Sequence, residues 1–302
     1  MPEVQLELYV SERDREALTG MLREDSALVD IVQSIQAAMD RHPDKVHVAR
    51  LEGKPVGCLA VNGFCRRTNA AVYVTPAFRR RGIGTALLRL ADGLFAGNEK
   101  VELSTGICRE DDSDTIQVLY RHGYYRGHGA FTMERRGEPL PVGEFTIRPY
   151  EDADYPAWHR VYESAFWPMR VETGQFPIYY FPPRESERRN IADNRENNYV
   201  LMIDGEIAAN GHIEGRHLYT LAVRRDMQGR GCGRAMASFL INTIMERGEP
   251  VVELGVVQGN SAIFLYESLG FVVTQRLACM KRYYRPDTIP SRPPEGFLDF
   301  RQ

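Results

Sequence analysis

Two glycine-rich segments, each lying between a short apolar run and a helical pattern, constrain this chain more than any other feature. The first covers residues 79–85 (RRRGIGT) and follows the run 71–74; the second covers residues 228–234 (QGRGCGR) and follows the run 218–223. A glycine-rich turn that enters a helix brings unpaired backbone N–H groups and the positive end of the helix dipole to one point. The sequence therefore predicts a cradle for an anionic group, such as a phosphate, twice in one chain.

The repeat extends beyond the two cradles. Gly82 and Gly231 are 149 positions apart, and Tyr120 and Tyr266, in two similar downstream segments, are 146 positions apart. This offset is about half of the 302 residues and is far too long for a solenoid, so it indicates two copies of one domain. We predict domains at 1–138 and 144–285 and an extended proline-rich tail at 286–302. The boundary is expected in 136–143, where glycines and prolines interrupt both helix and strand.

Composition indicates two ordinary soluble domains and argues against several classes of partner. The chain is 43% apolar and 26% charged, which is enough apolar material for one core in each half. The net charge of −3 argues against nucleic-acid binding, because a polyanionic partner favours a basic surface. Neither a signal peptide nor an apolar stretch of membrane-spanning length is evident. Five scattered cysteines without a C-x-x-C pair indicate neither a disulfide framework nor a metal site, so we expect a cytoplasmic protein with no metal and no membrane partner.

The sequence predicts the same order of elements in both halves. A strand is followed by helical segments, a hairpin, the strand that leads into the cradle, a helix, and then strand, helix and strand. The hairpins are expected around 52–54 and around Asp204-Gly205, a strong turn dipeptide. In the second half we expect a helix at 153–167, an aromatic, proline-rich loop after it, and a last strand at 271–276.

Three phosphate-binding loops are compatible with a strand, a glycine-rich turn and a helix. A P-loop requires a lysine after its last glycine, and neither cradle has one. A dinucleotide fold requires a third glycine, where this chain has Leu87 or Met236, although Glu253 lies about where a ribose-binding acid would. Glu253 can equally be an outward residue of a half-buried strand.

The third loop fits both cradles. Arg/Gln-x-x-Gly-x-Gly/Ala after a strand resembles the acyl-CoA signature of the GNAT superfamily of N-acetyltransferases, and both segments match it. Asn260 and the segment 264–271 (FLYESLGF) continue the resemblance, while Asp114 occupies the place of Asn260 in the first half. The resemblance covers nearly the whole chain and is similar to the layout of tandem members such as mycothiol synthase. It implies two mixed α/β (α+β) GNAT domains, each with a mostly antiparallel central sheet flanked by helices.

The resemblance also implies a cofactor, acetyl-CoA, and a set of site residues. Tyr266 would be the general acid that protonates the leaving thiolate, with Tyr120 in the same place in the first half. The base is not fixed by the sequence, and Glu214 and His212 are candidates. The pantetheine arm would lie between splayed strands and the pyrophosphate would lie on the amides of the cradle. The predicted cofactor-binding residues are Val74, Arg79, Arg80, Arg81, Gly82, Ile83, Gly84 and Thr85 in the first half, and Leu221, Ala222, Val223, Gln228, Gly229, Arg230, Gly231, Cys232, Gly233, Arg234 and Asn260 in the second.

Several alternatives stay open at this point. Both halves catalyse, or only the C-terminal half does, or the N-terminal half binds acyl-CoA without turnover; we favour the C-terminal half for catalysis. A non-catalytic acyl-CoA sensor or scaffold is the alternative to an enzyme. The acceptor is expected to be the amine of a small molecule, because six aromatics in 165–183 can form a wall for it. The same aromatics can instead pack the two domains together.

Overall fold

The computed structural model describes residues 4–23, 29–176, 179–286, 288, 291–297 and 299, and these residues form two compact units. Unit 1 comprises Met1–Arg126 and Cys279–Thr288; unit 2 comprises Gly127–Ala278 and Ile289–Gln302. Each unit therefore contains most of one repeat and a short segment of the other. The boundaries at 138 and 285 stay a prediction from the sequence repeat, whereas the units are defined by spatial contacts.

Unit 1 is a mixed sheet with helices. Its strands follow the order β1-β2-β3-β4-β5, and residues 279–283 of the last strand of the chain lie next to β5. The pairs β1–β2, β2–β3 and β3–β4 are antiparallel, and β4–β5 is parallel. The elements are β1 Gln5–Leu8, α1 Ser11–Arg23, α2 Val29–Arg41, β2 Val46–Leu51, β3 Lys54–Val61, β4 Arg67–Val74, α3 Ile83–Ala96, β5 Leu103–Arg109 and α4 Ser113–Arg121.

Unit 2 repeats this plan. Its strands follow the order β7-β8-β9-β10-β11-β6, with residues 272–278 of the last strand next to β6. Only β10–β11 is parallel among the strand pairs whose register is defined in this unit. The elements are β6 Tyr125–Arg135, β7 Thr146–Pro149, α5 Tyr155–Glu172, α6 Glu185–Asp193, β8 Asn198–Ile203, β9 Glu206–Glu214, β10 His217–Val223, α7 Cys232–Glu246, β11 Val252–Val257, α8 Ala262–Ser268 and β12 Val272–Tyr283. Each sheet is thus mostly antiparallel and flanked by helices, as predicted.

The two predicted hairpins are present, and their turns explain why. Glu52 and Gly53 have φ values of 51° and 79°, and Asp204 and Gly205 have 50° and 79°. Two consecutive residues with positive φ are typical of the turns that match the twist of the flanking strands. These turns set the registers of β2–β3 and β8–β9.

The core of unit 2 depends on one close approach between α7 and the sheet. A Cβ atom added to Gly211 on β9 would lie 2.5 Å from the Cδ1 atom of Leu240, which is fully buried on α7. A larger residue at this position would force the buried Leu240 side chain to shift, so Gly211 lets α7 pack closely on β9. The helix that packs here begins at the second cradle.

Two sequence-based element boundaries were wrong. Helix α5 continues through Pro168 to Glu172 instead of ending at 167, because a proline keeps a helical φ and loses only one hydrogen bond, which the surrounding packing outweighs. Strand β12 continues beyond 276 to Tyr283, and its last residues belong to unit 1. None of the helices in the described part of the chain is long and apolar enough to cross a membrane.

Candidate functional site

Each cradle is a loop with a left-handed glycine at the start of a helix. Gly82 (φ 82°) precedes α3, and Gly231 (φ 86°) precedes α7. The first helical hydrogen bonds are donated by the amides of Ala86 and Ala235, both at 3.0 Å. The amides between each glycine and these alanines have no acceptor inside the helix, so they are available to an anion.

The first residue of each motif holds its loop against the preceding strand. Gln228 donates from Nε2 to the carbonyl of Val223 at 3.2 Å, and Arg79 donates from Nε to the carbonyl of Val74 at 3.0 Å. The same bond therefore occurs in both halves. It gives the Gln/Arg position a structural role in shaping the cradle.

The arginines around the second cradle differ in the partners that they already have. Arg224 is engaged, because its guanidinium pairs with Glu206 at 2.6 Å and Asp226 at 2.8 Å. Arg230 is exposed, and Arg234 donates to the hydroxyl of Ser268 at 2.8 Å. Burial raises the pKa of the Cys232 thiol, so this side chain is a protonated core group.

The first cradle differs from the second at one backbone position. Arg80 has a φ of 64°, whereas its counterpart 149 positions later is Gly229, with a φ of 75°. A left-handed conformation is costly for arginine and free for glycine. The exposed Arg80 side chain forms an ion pair with Asp114 at the start of α4. This pair lies beside the predicted phosphate position of unit 1.

The strands that precede the cradles part from their parallel neighbours. In unit 1, β4 and β5 pair only from Arg67 to Asn69 on β4. In unit 2, β10 and β11 pair only at His217 and Leu218 on β10. Beyond these pairs each V-shaped gap widens toward its cradle. Leu221, Ala222 and Val223 lie on β10 along the second gap, and Val74 lies on β4 along the first.

A β-bulge distinguishes the two gaps. On β10, Leu218 pairs with Ile213 and Thr220 pairs with His212, so Tyr219 is left outside the ladder. On β4 the paired residues 70–74 run in regular register with β3, and Ala70, the counterpart of Tyr219, pairs with Val61. Bulges free backbone groups and re-aim side chains beside active sites. The strand that leads into the cradle is therefore bulged in unit 2 and regular over its β3-paired residues in unit 1.

A cluster of polar side chains surrounds the bulge at the closed end of the second gap. The His217 Nε2 atom lies 2.6 Å from an oxygen of Glu253, and Arg216 lies 2.5 Å from the other oxygen. The ring of Tyr219 lies 5.5 Å from that of His217 and 5.8 Å from that of His212. Glu253 is therefore buried and in contact with both His217 and Arg216. It is not an outward strand residue.

The two predicted bases differ in their surroundings. His212 is half-buried, and burial lowers the pKa of its imidazole, which keeps it neutral near pH 7. Glu214 is exposed at the end of β9, opposite His217 in the ladder. Sequence reasoning did not bring His217 and Glu253 together, because they are 36 positions apart and meet only through the parallel pairing of β10 and β11.

The two predicted acids also differ. Tyr266 lies in the core that includes α7, with its ring 5.8 Å from that of Phe271, and burial raises the pKa of its phenol to about 12. Tyr120 is 50% exposed on α4. Burial therefore distinguishes the phenol of Tyr266 from that of Tyr120.

Asn260 organises the start of α8. Its Oδ1 accepts the amide of Ala262 at 2.9 Å. In unit 1 the equivalent role belongs to Asp112, whose Oδ1 accepts the amide of Thr115 at 3.0 Å, and not to Asp114, the counterpart expected from the sequence. Asp114 is engaged with Arg80 instead.

The aromatic segment 165–183 is divided between α5 and the chain that follows it; Pro177 and Ile178 lie outside the described residues. On α5, Arg170 donates to Glu163 at 3.3 Å and to the carbonyl of Tyr179 at 3.2 Å. Burial raises the pKa of the Glu163 carboxyl, one oxygen of which has no partner. Tyr180 is half-buried, and its ring lies 6.3 Å from that of His159.

The described residues contain no group of three or more histidine, cysteine, aspartate or glutamate side chains that could hold a metal ion. The remaining predicted positions, Arg81, Ile83, Gly84, Thr85 and Gly233, all lie in or directly after the two cradles.

Comparison with known proteins agrees with this geometry. Models of the acetyltransferase (GNAT) domain match residues 42–126 and 170–282. The chain is 31% identical over 148 residues to the [ribosomal protein bS18]-alanine N-acetyltransferase of Escherichia coli, covering 47% of this chain and 88% of that protein. It is 29% identical over 224 residues to the mycothiol acetyltransferase of Geodermatophilus obscurus, covering 67% of this chain and 70% of that protein.

Solved structures with the same fold cover nearly the full length. A GCN5-related N-acetyltransferase from Sphaerobacter thermophilus matches with a TM-score of 0.70 at 19% identity, covering 95% of this chain and 97% of that one. A tandem GNAT protein from the clavulanic acid biosynthesis pathway matches with a TM-score of 0.62 at 14% identity, covering 95% of this chain and 100% of that one. The chain belongs to the GNAT acetyltransferase family and carries two of its domains in tandem.

Proposed function

We propose that the protein transfers an acetyl group from acetyl-CoA to the primary amine of a small molecule, with the C-terminal half as the main catalytic site. The observation that supports this choice most is the bulge at Tyr219, which lies at the closed end of the second gap and has no counterpart at Ala70. The transfer would occur by direct attack with donor and acceptor bound together.

The second cradle and gap suit the shape and charge of CoA. Gly229 and Gly231 have positive φ, and a Cβ on Gly231 would point toward the ring of Phe145 at 3.7 Å, so the exposed side of the loop presents backbone amides. Those amides, with Arg230 nearby, would hold the pyrophosphate. Acetyl-CoA supplies a thioester when bound. Backbone groups of Leu221 and Ala222, which lie along the gap and do not pair with β11, would orient the arm that carries it.

The closed end of the gap is where proton transfer would take place. Val223 lies five residue steps from Leu218, a span of about 17 Å, so an extended arm can reach from the cradle to the bulge. A neutral amine is the nucleophile, so a base must hold its proton. His217 fits because Glu253 accepts its Nε2–H and thereby leaves the Nδ1 lone pair for the proton of the amine. His212, neutral near pH 7, and Glu214 are the alternatives.

Tyr266 would return a proton to the leaving thiolate. Because burial raises the pKa of the phenol to about 12, the hydroxyl is protonated near neutral pH. The proton would be lost only as the pH rises through that value. Tyr266 therefore contributes no alkaline loss of activity near neutral pH.

The N-terminal half lacks two of these devices. Its paired β4 residues have no bulge, and Tyr120 is exposed. Its cradle keeps both glycines of the motif, so we infer binding of acyl-CoA there without efficient turnover. A non-catalytic sensor is the alternative for the whole protein.

The relatives' names do not decide the acceptor, since one is named for mycothiol and another for the alanine of a ribosomal protein. The aromatic segment on and after α5 favours a small molecule, because apolar rings with few convergent polar groups are typical of small-ligand pockets. Buried Glu163 lies on α5 just before that segment and accepts from Arg170 within it.

Thiol release from acetyl-CoA, measured with a panel of small amines, tests this function. We expect Tyr266→Phe to lower kcat by about 10²–10⁴, the usual contribution of a placed acid, and Tyr120→Phe to change it little. Calorimetry with CoA distinguishes the sensor, which would bind CoA but release no thiol with any amine. Loss of turnover in Tyr120→Phe but not in Tyr266→Phe would move the working site to the N-terminal half.

A further inference from the structure

Unit 1 contains a basic cavity that none of the preceding roles uses. It has a volume of about 500 Å³ and lies between α3 and α4, beside the end of β12. The polar side chains that line it are Thr85, Arg89, Asp92, Arg121, His122 and Arg282. Three guanidinium groups thus face one carboxylate in a chain whose net charge is −3.

The carboxylate of Asp92 is already saturated with donors. Arg282 Nη1 lies 2.7 Å from Oδ2, His122 Nδ1 lies 3.0 Å from the same oxygen, and the Tyr284 hydroxyl donates to Oδ1 at 2.9 Å. Asp92 therefore has little capacity left to neutralise further cations. Its role is to hold Arg282, His122 and Tyr284 in place at the cavity.

Arg282 is fixed in place before any ligand arrives. Besides its bond to Asp92 it donates to the carbonyl of His122, and its guanidinium lies 5.1 Å from the ring centre of Tyr284. A guanidinium held on two sides loses little further freedom when it binds an anion. Arg282 is therefore better suited to bind an anion than a flexible arginine on the surface would be.

Arg89 and Arg121 have no carboxylate partner within the described ranges of the chain. Both are exposed, Arg89 on α3 and Arg121 at the end of α4. With Arg282 compensated by Asp92, these two arginines give the cavity an excess charge of about +2. That charge matches a phosphate monoester, which carries about −1.5 to −2 near pH 7.

The internal repeat shows that the shared cradle does not require this charge. By the same offsets, Ser238 stands in the place of Arg89, Ile241 in that of Asp92 and Glu267 in that of Arg121. Ser238 and Ile241 are buried in α7. The C-terminal half keeps the complete cradle motif without the basic cavity, so the cavity is an additional feature of unit 1.

We propose that this cavity binds the phosphate group of a small phosphorylated molecule. Arg89 and Arg121 would hold two phosphate oxygens, Arg282 the third, and the Thr85 hydroxyl would donate at the rim. The phosphate could belong to a free metabolite or to the 3′-phosphate of a CoA molecule seated in the first cradle. Both have the same charge and geometry.

Calorimetric titration of inorganic phosphate into the full chain tests the site. The titration is carried out in saturating CoA and, separately, in saturating dephospho-CoA, which lacks the 3′-phosphate, so that the cradles are filled in both. The test variant is Arg89→Ser/Arg121→Glu, which installs the residues of the C-terminal half. The control variant Arg189→Ser/Arg195→Glu makes the same change of charge on exposed residues of unit 2.

We expect phosphate to bind the wild-type chain in dephospho-CoA, and the test variant to bind roughly tenfold or more weakly. Binding that persists in CoA identifies a free phosphorylated molecule as the ligand. Binding that disappears in CoA identifies the 3′-phosphate, and the test variant should then lose its preference for CoA over dephospho-CoA. The control variant should behave as wild type, and both should keep the wild-type melting temperature because the replaced side chains are exposed.

No phosphate binding in dephospho-CoA, or equal binding by the test variant and the wild type, would overturn the proposal. Neither result bears on catalysis in the C-terminal half, which is measured separately by thiol release.

Discussion

At the scale of single residues, two side chains of unit 2 suit the proposed proton transfers. The Nε2 atom of His217 lies 2.6 Å from an oxygen of Glu253, so a carboxylate holds the proposed base. Burial raises the pKa of the Tyr266 phenol to about 12, so the proposed acid is protonated near neutral pH. The contact between His217 and Glu253 depends on nearness in space, and not in sequence.

Replacing His217 with Ala should lower kcat by about 10²–10⁴, the usual contribution of a placed base. Glu253→Gln should lower kcat less, since it loosens the orientation of the imidazole without removing it. Steady-state rates at saturating amine and acetyl-CoA measure both effects.

His212→Ala is the matched comparison, because His212 also contacts Tyr219 but has no carboxylate partner of its own in the described structure. A larger loss of kcat in His212→Ala than in His217→Ala would contradict the assignment of the base.

At the scale of elements, small departures from regularity determine where function can reside. Both cradles place a left-handed glycine before a helix, but β10 has a bulge and β4 is regular over its paired residues. Helix α5 passes through Pro168 and brings Arg170 under the chain at 179–181. The aromatic segment therefore begins as the end of α5 and continues as an irregular chain that contacts Arg170 of that helix.

Tyr179 and Tyr180 should respond differently to substitution, although they are neighbours. Tyr179 is 3% exposed, so Tyr179→Ala should destabilise unit 2 by about 3 kcal/mol. Tyr180 is less buried and contacts His159 and Phe297, so Tyr180→Ala should raise the KM for the amine with a smaller loss of stability. Urea unfolding and amine saturation curves measure the two effects.

A fall in unfolding free energy for both variants with an unchanged KM would show that the segment is core alone and does not contact the acceptor.

At the scale of the whole molecule, the units are not the two halves of the sequence. Residues 279–288, from the end of the second repeat, belong to unit 1, and residues 127–135, from the end of the first, belong to unit 2. Met280 is fully buried in unit 1, and Tyr284 bonds to Asp92 and to Ser104, at 2.9 and 3.3 Å. Residues 279–288 thus stabilise the unit that contains the start of the chain.

Truncation after Ala278 should therefore destabilise unit 1 by roughly 3 kcal/mol or more, the usual loss for one large buried side chain. Truncation after Thr288 is the control, since it leaves these contacts intact. Both tryptophans, Trp158 and Trp167, lie in unit 2, so fluorescence reports that unit while hydrogen exchange reports the amides of unit 1.

Unchanged exchange protection on β2, β3 and β4 in the shorter chain would show that unit 1 does not depend on residues 279–288.

The sequence by itself determined the features that depend on neighbours along the chain. The two cradles, the turns at Gly53 and Gly205 and the order of elements follow from local backbone preferences and hydrophobic periodicity. The resemblance to a known family indicated the fold and pointed to Tyr266 as a candidate acid. Each of these needs only a few consecutive residues or a fixed offset to be recognised.

The tertiary structure alone decided which distant residues meet. It joined His217 to Glu253, diverted Arg224 to Glu206 and Asp226, and placed the end of β12 in unit 1. It also put the bulge at Tyr219 and not at Ala70. Strand register and ion pairs depend on the free energy of long-range packing, which one strand's sequence does not contain. For that reason the sequence showed that the two halves are alike, whereas only the tertiary structure showed how they differ.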